Sequence, residues 1–360
     1  MNDATPPLIV SSSPHLRTQD TVKAIMLRVL IALVPAGVMG IYLFGIRALF
    51  LMLVCVGVAI LSEAVSQRCM KRSVTVWDLS AAVTGLLLAF NLPPTVPLWL
   101  AALGSAFAVL VAKQAFGGLG CNIFNPALAG RVFLLISYPV FMTTWSSPKG
   151  QDTLSLHPQE CSEAPRRLAD TITSATPLAA EKKLREKLED LNTEEMTRMA
   201  SERLLTRLHG ETFLLRSAVG QIGGCLGEVS AAGLMLGGFY LLFSGTISWR
   251  IPASYGLSLG LLAWIFGGTG LFHGAPFFHL LTGGFMIGAF FMATDMVTTP
   301  VTPKGQLLFG VGAGIITWII RKHGGYPEGV SFSILLMNAA TPLIDRHTRP
   351  RVFGIGGGRG

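Results

Sequence analysis

Residues 22–67 read VKAIMLRVLIALVPAGVMGIYLFGIRALFLMLVCVGVAILSEAVSQ. Two apolar runs stand here, 22–44 and 47–67, each long enough for a helix to cross a bilayer, which takes about 20 mostly apolar residues. The whole chain shares this character. Hydrophobic residues make up 51% of its 360 residues and charged residues 13%, against roughly a quarter charged in ordinary soluble domains. Mean hydropathy is +0.55. Glycine, at 41 residues, is abundant, as helices packed inside a membrane tolerate. A soluble reading would need a very large dry core with too little polar surface to cover it.

Working outward, eight more spans follow at 78–92, 97–115, 126–145, 217–243, 252–271, 277–294, 305–320 and 328–344. The fold class is therefore an all-α, multi-pass membrane protein with about ten transmembrane helices. The chain divides into a first five-helix half (1–145), a polar loop domain (146–216), a second five-helix half (217–345) and a tail (346–360). The first twenty residues are polar and show no cleavable signal peptide. Short-loop cations set the orientation: Arg17, Lys23, Arg68, Lys71, Arg72, Lys113, Arg131, Arg250, Lys304, Arg346, Arg349 and Arg351 fall on one side of the bilayer. The positive-inside rule makes that side cytoplasmic and puts both termini there. The polar loop then lies outside, periplasmic in a bacterial inner membrane. Nearly half of all charged residues sit in this island, so the formal net charge of +8 resides in the membrane blocks and suits anionic headgroups. No basic face with interleaved aromatics accompanies it, so nucleic acid is not a partner.

Arg321 and Lys322 break the pattern and face outside. An internal repeat accounts for them. Lys113-Gln-Ala-Phe-Gly117-Gly118 follows span four, and Arg321-Lys-His-Gly324-Gly325 follows span nine. Thr84-Gly85 with Ala89-Phe90 is echoed by Thr282-Gly283 with Ala289-Phe290. Five spans is an odd number, so the halves must be inverted, an arrangement that places functional sites near the midplane on broken helices.

The membrane acids Glu63, Asp78, Glu228 and Asp295 are candidates for ion coupling, because an intramembrane carboxylate is costly. Glu228 and Asp295, with Asn122 and Asn125, could contact an ion or a second cofactor. Capping competes with that role: Glu228 follows three glycines, Asp295 precedes a Thr/Pro-rich break, and the asparagines stand before span five. The five cysteines have no CxxC spacing and read as small apolar residues. No metal site is expected.

Within the island, Ala179 to Leu205 reads as a helix with an apolar stripe of Leu184, Leu188 and Leu191. Just before it stands Asp170-Thr-Ile-Thr173-Ser-Ala175-Thr176-Pro177. This run resembles the recognition motif for covalent flavin attachment in ion-translocating membrane redox complexes, in which the last Thr is modified. A threonine hydroxyl is a poor nucleophile and needs an enzyme to activate it. The target is therefore expected to be exposed and extended, and Pro177 biases Thr176 away from helix.

Further segments carry a wider resemblance: Ser12-Ser13-Pro14-His15; Lys113-Gln114 through Gly117-Gly118 to Asn122-Ile-Phe-Asn125-Pro126-Ala127; Gly224-Cys-Leu-Gly227-Glu228; Ala293-Thr294-Asp295; Gly324-Gly325-Tyr326-Pro327; and Asp345 with Arg349-Pro350-Arg351. Together they resemble the D subunits of the Rnf (Rsx) electron-transport complexes and, more distantly, the B subunits of the sodium-pumping NADH:quinone oxidoreductases. The resemblance implies FMN held by a phosphoester on Thr176, with Asp170, Thr173 and Ala175 read by a flavin transferase. It implies a second, non-covalent flavin, riboflavin, in the membrane block. It also implies a place in a six-subunit translocase that passes electrons between ferredoxin and NAD and moves Na+ or H+. The chain is not catalytic alone, and no catalytic residue is assigned. Two rivals share the helix pattern: a non-redox channel or transporter, and an assembly scaffold.

Overall fold

A computed structural model describes residues 20–145, 176–189, 202, 204–206, 208–220, 223–228, 230–268, 271–325 and 328–349. Asp170, Thr173 and Ala175 lie outside the described residues, as do the first nineteen residues and most of the island.

All regular elements among the described residues are helical. The first group is α1 (Val22–Phe44), α2 (Ile46–Cys69), α3 (Ser80–Phe90), α4 (Leu98–Val109), α5 (Pro126–Ser137) and the short α6 (Pro139–Met142). A π turn, Leu110–Gln114, continues α4. The island contributes α7 (Pro177–Glu189) and α8 (Glu211–Val219). The second group is α9 (Ala231–Phe243), α10 (Arg250–Phe266), α11 (Pro276–Leu281), α12 (Phe285–Ile287), α13 (Pro303–His323) and α14 (Val330–Thr348). A second π turn, Gly288–Met292, continues α12.

Among the described residues three helices, α1, α2 and α13, are long and apolar enough to cross a membrane, and α3, α4 with its π turn, α5 and α9 are shorter apolar helices. Large apolar side chains such as Val38, Leu53, Leu61, Phe243 and Leu336 point outward. In water so many would form an untenable patch; against lipid they are an ordinary surface.

The packing pattern recurs in the two groups. In the first, α2 packs on α3 and α4, and α4 on α5. In the second, α10 packs on α11 and α13, and α13 on α14. The groups meet where α1 crosses α9. Glycine makes that crossing close: a Cβ at Gly237 would lie 2.0 Å from the Ala32 carbonyl oxygen. Gly85 does the same for α3 on α2, with a Cβ position 2.6 Å from the Cys55 oxygen. In lipid, such small-residue contacts replace the missing hydrophobic drive.

Several expected spans are shorter or broken. The span expected at 217–243 starts only at Ala231. Gly220, at φ +100°, ends α8, and Ser230 caps the new helix by accepting from the Gly233 N–H at 3.1 Å. The span expected at 277–294 is interrupted at Thr282–Gly284, where Gly283 and Gly284 take φ of +62° and +56°, a conformation open to glycine. The span expected at 126–145 stops at Ser137, because Pro139 cannot continue it. The tail expected from 346 begins later, since α14 runs to Thr348. The island helix expected over 179–205 is described as Pro177–Glu189, and part of the rest lies outside the described residues.

Candidate functional site: a buried charge cluster beneath the Thr176 segment

The irregular segments meet at one place. Asn91 follows α3, Cys225 and Glu228 precede α9, Thr282–Gly284 separate α11 from α12, and Glu328 precedes α14. The chain links these segments directly: the Leu226 N–H donates to Leu92 O at 3.1 Å, and the Gly227 N–H to Phe90 O at 2.8 Å. Non-helical backbone at this depth is tolerated only where protein or a cavity satisfies it.

Arg131, on α5 and 4% exposed, is the hub. Its guanidinium donates to Asn91 Oδ1 at 2.6 Å and reaches Cys225 Sγ at 3.6 Å. It pairs with Glu228 Oε1 at 3.6 Å and makes a close contact with Glu328. Glu228 Oε2 accepts from the Cys225 N–H at 3.4 Å. Glu228 Oε1 and Glu328 Oε1 are buried without a hydrogen-bond donor. Charge counting along the sequence assigns Arg131 to a loop edge. The structure buries it instead, beside Cys225 and Glu328, which carry no functional expectation from sequence. The available signals are an arginine inside an apolar run and an acid after a Gly-Gly-Tyr-Pro break.

On the other side of the α11–α12 break, Arg321 donates to the carbonyls of His279 at 2.5 Å, Thr282 at 3.2 Å and Gly283 at 3.0 Å. These are carbonyls that the break leaves without helical partners. Arg321 is 4% exposed, so the second basic-plus-Gly-Gly element is a brace and not a loop charge.

Its counterpart behaves alike. Lys113 is 1% exposed and pairs with Glu63 at 2.7 Å, donating also to Ser80 Oγ at 2.6 Å. Gln114 donates to the same Glu63 oxygen at 2.7 Å. The extra residue in the π turn lets two consecutive side chains point inward. Glu63 thus has a structural partner.

Thr176 is described and stands outside helix as expected, but it is not exposed as expected: it is 4% exposed. Its Oγ1 accepts from the Ala179 N–H at 3.3 Å, and Pro177 occupies the first turn of α7, a favoured helix start. Helix α7 lies on the bundle through Leu178, Ala180 and Leu184, which cluster with Leu208, Phe213 and Phe278. Glu181 pins it: it pairs with Arg185 at 2.8 Å, His209 at 3.2 Å and His279 at 3.7 Å. Burial alone pushes the Glu181 carboxyl up. The adjoining His279 and His209 rings and the Arg185 guanidinium outweigh burial and hold it down at about 2.

A small cavity of about 20 Å³ joins Thr176 to Glu228, with Ser217, Gly224, Thr282 and Gly283 in its wall. Asn122, Asn125 and Asp295 line a different cavity, about 110 Å³, shared with Lys113 and apolar residues such as Val83, Leu87 and Phe291. The four secondary candidates therefore do not form one site. Capping accounts for part of them. Asn125 Oδ1 accepts from the Ala127 and Leu128 N–H groups at 3.1 and 3.3 Å. Asp295 accepts from the Val297 N–H and the Thr298 hydroxyl at 3.4 and 3.3 Å. Asn122 Oδ1 stays buried without a donor.

Lipid-facing helices wrapped around broken segments and buried charge pairs define a polytopic membrane protein with a polar centre. The profile of the NQR2, RnfD, RnfE family matches residues 9–354, and the chain belongs to that family. It is 46% identical over 349 residues, 97% of this chain and 96% of the relative, to the D subunit of the Na(+)-translocating ferredoxin:NAD(+) oxidoreductase complex of Acetobacterium woodii. It is 44% identical over 347 residues, 96% of each chain, to the proton-translocating counterpart of Clostridium ljungdahlii. It is 40% identical over 342 residues, 93% of each, to the D subunit of the ion-translocating oxidoreductase complex of Stutzerimonas stutzeri. These relatives belong to oxidoreductase complexes that move ions.

Proposed function

We propose that this chain is the flavin-carrying membrane subunit of such a complex, and that FMN is attached through phosphate to the Thr176 hydroxyl. Near-full-length likeness to three D subunits of ion-translocating oxidoreductases supports the complex. The observation that carries the cofactor is the Asp170-to-Thr176 motif ending at the start of α7.

The residues present fit a phosphoester. An esterified Thr176 oxygen still accepts the Ala179 N–H, so the cap survives modification. The phosphate would sit at the amino end of α7, where helix amides and the macrodipole favour negative charge. Ser217 and Gly224 border the adjoining cavity of about 20 Å³ and would stand beside the phosphoester. When bound, the flavin accepts one or two electrons. The burial of Thr176 has a consequence: its hydroxyl becomes inaccessible once α7 docks, so the flavin transferase acts before docking. Riboflavin is the second cofactor in this reading, and the larger cavity beside Asn122, Asn125 and Asp295 is the place we assign it. The wall there is mostly apolar, as flavin rings prefer.

In this reading two inverted five-helix repeats span the inner membrane. The Thr176 segment faces the periplasm, and the partners are the other members of a six-subunit complex. Electrons pass between ferredoxin and NAD through the assembled complex, coupled to Na+ or H+ movement. The test is in-gel flavin fluorescence of the denatured chain, with mass spectrometry over residues 168–181. An FMN-sized addition on Thr176, lost in Thr176→Val, is expected. A colourless, unmodified chain from cells with an active transferase would leave the channel or scaffold reading.

A further inference from the structure

We propose that the cavity between α7 and the adjoining ends of α10 and α13 binds one anionic phospholipid, holding the phosphate of a hydroxylated headgroup such as phosphatidylglycerol. The site stands on its own geometry. Only its assignment to the outer leaflet rests on the orientation given under the proposed function.

The cavity measures about 210 Å³. A water needs about 10–15 Å³ of such space, so there is room for a whole polar headgroup. Lys182 and Arg185 join its wall from α7, Phe266 from α10, and Trp318, Arg321 and Lys322 from α13. His279 completes it from α11.

Two polar atoms on this wall have no partner among the described residues: Arg321 Nε and His279 Nδ1. Their residues are 4% and 5% exposed. The other two guanidinium nitrogens of Arg321 are engaged by the carbonyls of His279, Thr282 and Gly283. His279 Nε2 faces Glu181 Oε2 at 3.7 Å; with the proton on that nitrogen, Nδ1 offers a lone pair. Leaving either atom bare is costly. The group that serves both must accept from a guanidinium and donate to an imidazole. A phosphate oxygen does the first, and a headgroup hydroxyl does the second.

The charges leave one positive charge over. Glu181 is held by Arg185 at 2.8 Å. Glu186 stands 3.9 Å from Lys182, and Arg321 shares its charge with Glu228 and Glu328 across the α11–α12 break, where Arg131 pairs with both. Lys322 has no ion pair among the described residues; its ammonium lies over the Phe266 ring, 5.9 Å from the centroid. The carboxyl end of α13 by itself repels an anion, so these cations must carry the site. A single surplus charge suits a phosphodiester, which brings one negative charge, better than free phosphate, which brings nearer two.

The surroundings select a lipid as the source. Lys322 continues the stripe of Ile315 and Ile319 on α13, at helical spacing, and those side chains are 41% and 51% exposed. An acyl chain laid along that stripe runs into the bilayer while its phosphate stays in the cavity. Trp318, Phe266 and Lys322 together mark the headgroup level, where aromatic rings and long cationic side chains collect. With Lys182 on α7 and Lys322 on α13, the bound headgroup bridges the island helix to the bundle.

The test uses the full-length chain in mild detergent, stripped of lipid and titrated with phosphatidylglycerol, phosphatidylcholine or inorganic phosphate. Native mass spectrometry counts what is retained. One phosphatidylglycerol per chain is expected to survive conditions that remove phosphatidylcholine. Lys182→Gln and Lys322→Gln should each weaken that retention about fivefold. Lys304→Gln removes an exposed lysine at the other end of α13 and should leave retention unchanged. Lys322→Arg should keep it, and this pair of Lys322 variants decides the matter if Lys182→Gln disturbs α7. Hydrogen exchange in α7 should slow on adding phosphatidylglycerol to the parent, and not in Lys322→Gln. Thr176→Val should retain the lipid as the parent does, so failure of the flavin reading and failure of this one are separate results. Equal retention of phosphatidylcholine overturns the proposal, as do displacement of the lipid by inorganic phosphate and unchanged retention in Lys322→Gln.

Discussion

Lys113 and Glu63 form an ion pair at 2.7 Å with both side chains 1% exposed. They come from α2 and from the π turn that ends α4, and together they lock those two helices. Breaking a buried pair by removing one partner strands a charge and costs about 3–5 kcal/mol. Lys113→Met or Glu63→Leu should therefore lower the thermal midpoint of the detergent-solubilised protein sharply. The double variant should recover much of the loss, because no bare charge remains. A double variant as unstable as the sum of the singles would show that the pair is not coupled.

Thr176 caps α7 and, in the proposed reading, carries the flavin, and substitution can separate the two. Thr176→Ser keeps a hydroxyl for the cap and for the phosphoester. Thr176→Asn keeps a capping side chain and removes the attachment oxygen. Thr176→Ala removes both and should cost about 1 kcal/mol of helix stability. Mass spectrometry of residues 168–181 should find FMN only on the Ser variant and the parent. Proteolysis of α7 should rank Ala as the most susceptible.

The docking of α7 depends on Glu181 being ionised. Its folded value, about 2 against an ordinary 4.5, is depressed, so its contribution is fully present above about pH 4.5. The contribution fades as pH falls towards 2, where the folded carboxylate takes up its proton. Limited proteolysis within α7 should thus be insensitive to pH between 5 and 8 and rise steeply below 4. Glu181→Gln should cleave readily at neutral pH and show little further acid dependence. An unchanged acid profile in that variant would point to another group.

Gly237 sets how closely α9 approaches α1. Its Cβ position lies 2.0 Å from the Ala32 carbonyl oxygen, backbone that cannot rotate aside. Gly237→Ala should force the helices apart at a cost of about 1–3 kcal/mol. Gly57 has open space around it, so Gly57→Ala should be nearly silent. Comparing the unfolding midpoints of the two variants distinguishes a contact effect from helix propensity.

The sequence made much of this legible. Apolar windows located the helices, with α1, α2 and α13 close to the expected bounds. The paired Lys113-Gly117-Gly118 and Arg321-Gly324-Gly325 elements pointed to a recurring feature, and both cations are buried braces. Their burial was not legible. Counting charges at the edges of apolar runs sends each one to a loop, Arg131 and Lys113 included. The hub of the site joins Arg131 to Glu328, 197 residues away. No local pattern announces such a partner.

The amino-acid order alone determined that this chain is rich in lipid-suited helices, where its longest helices begin and end to within a turn or so, and which threonine ends the run that resembles an attachment motif. Those are properties of short windows, governed by transfer free energy and by residue spacing. The tertiary structure alone decided that Arg131, Glu228 and Glu328 share one pocket, and that Thr176 lies buried above it. The reason is that bringing buried charges together depends on where broken helices cross, and residues far apart in the chain set those crossings.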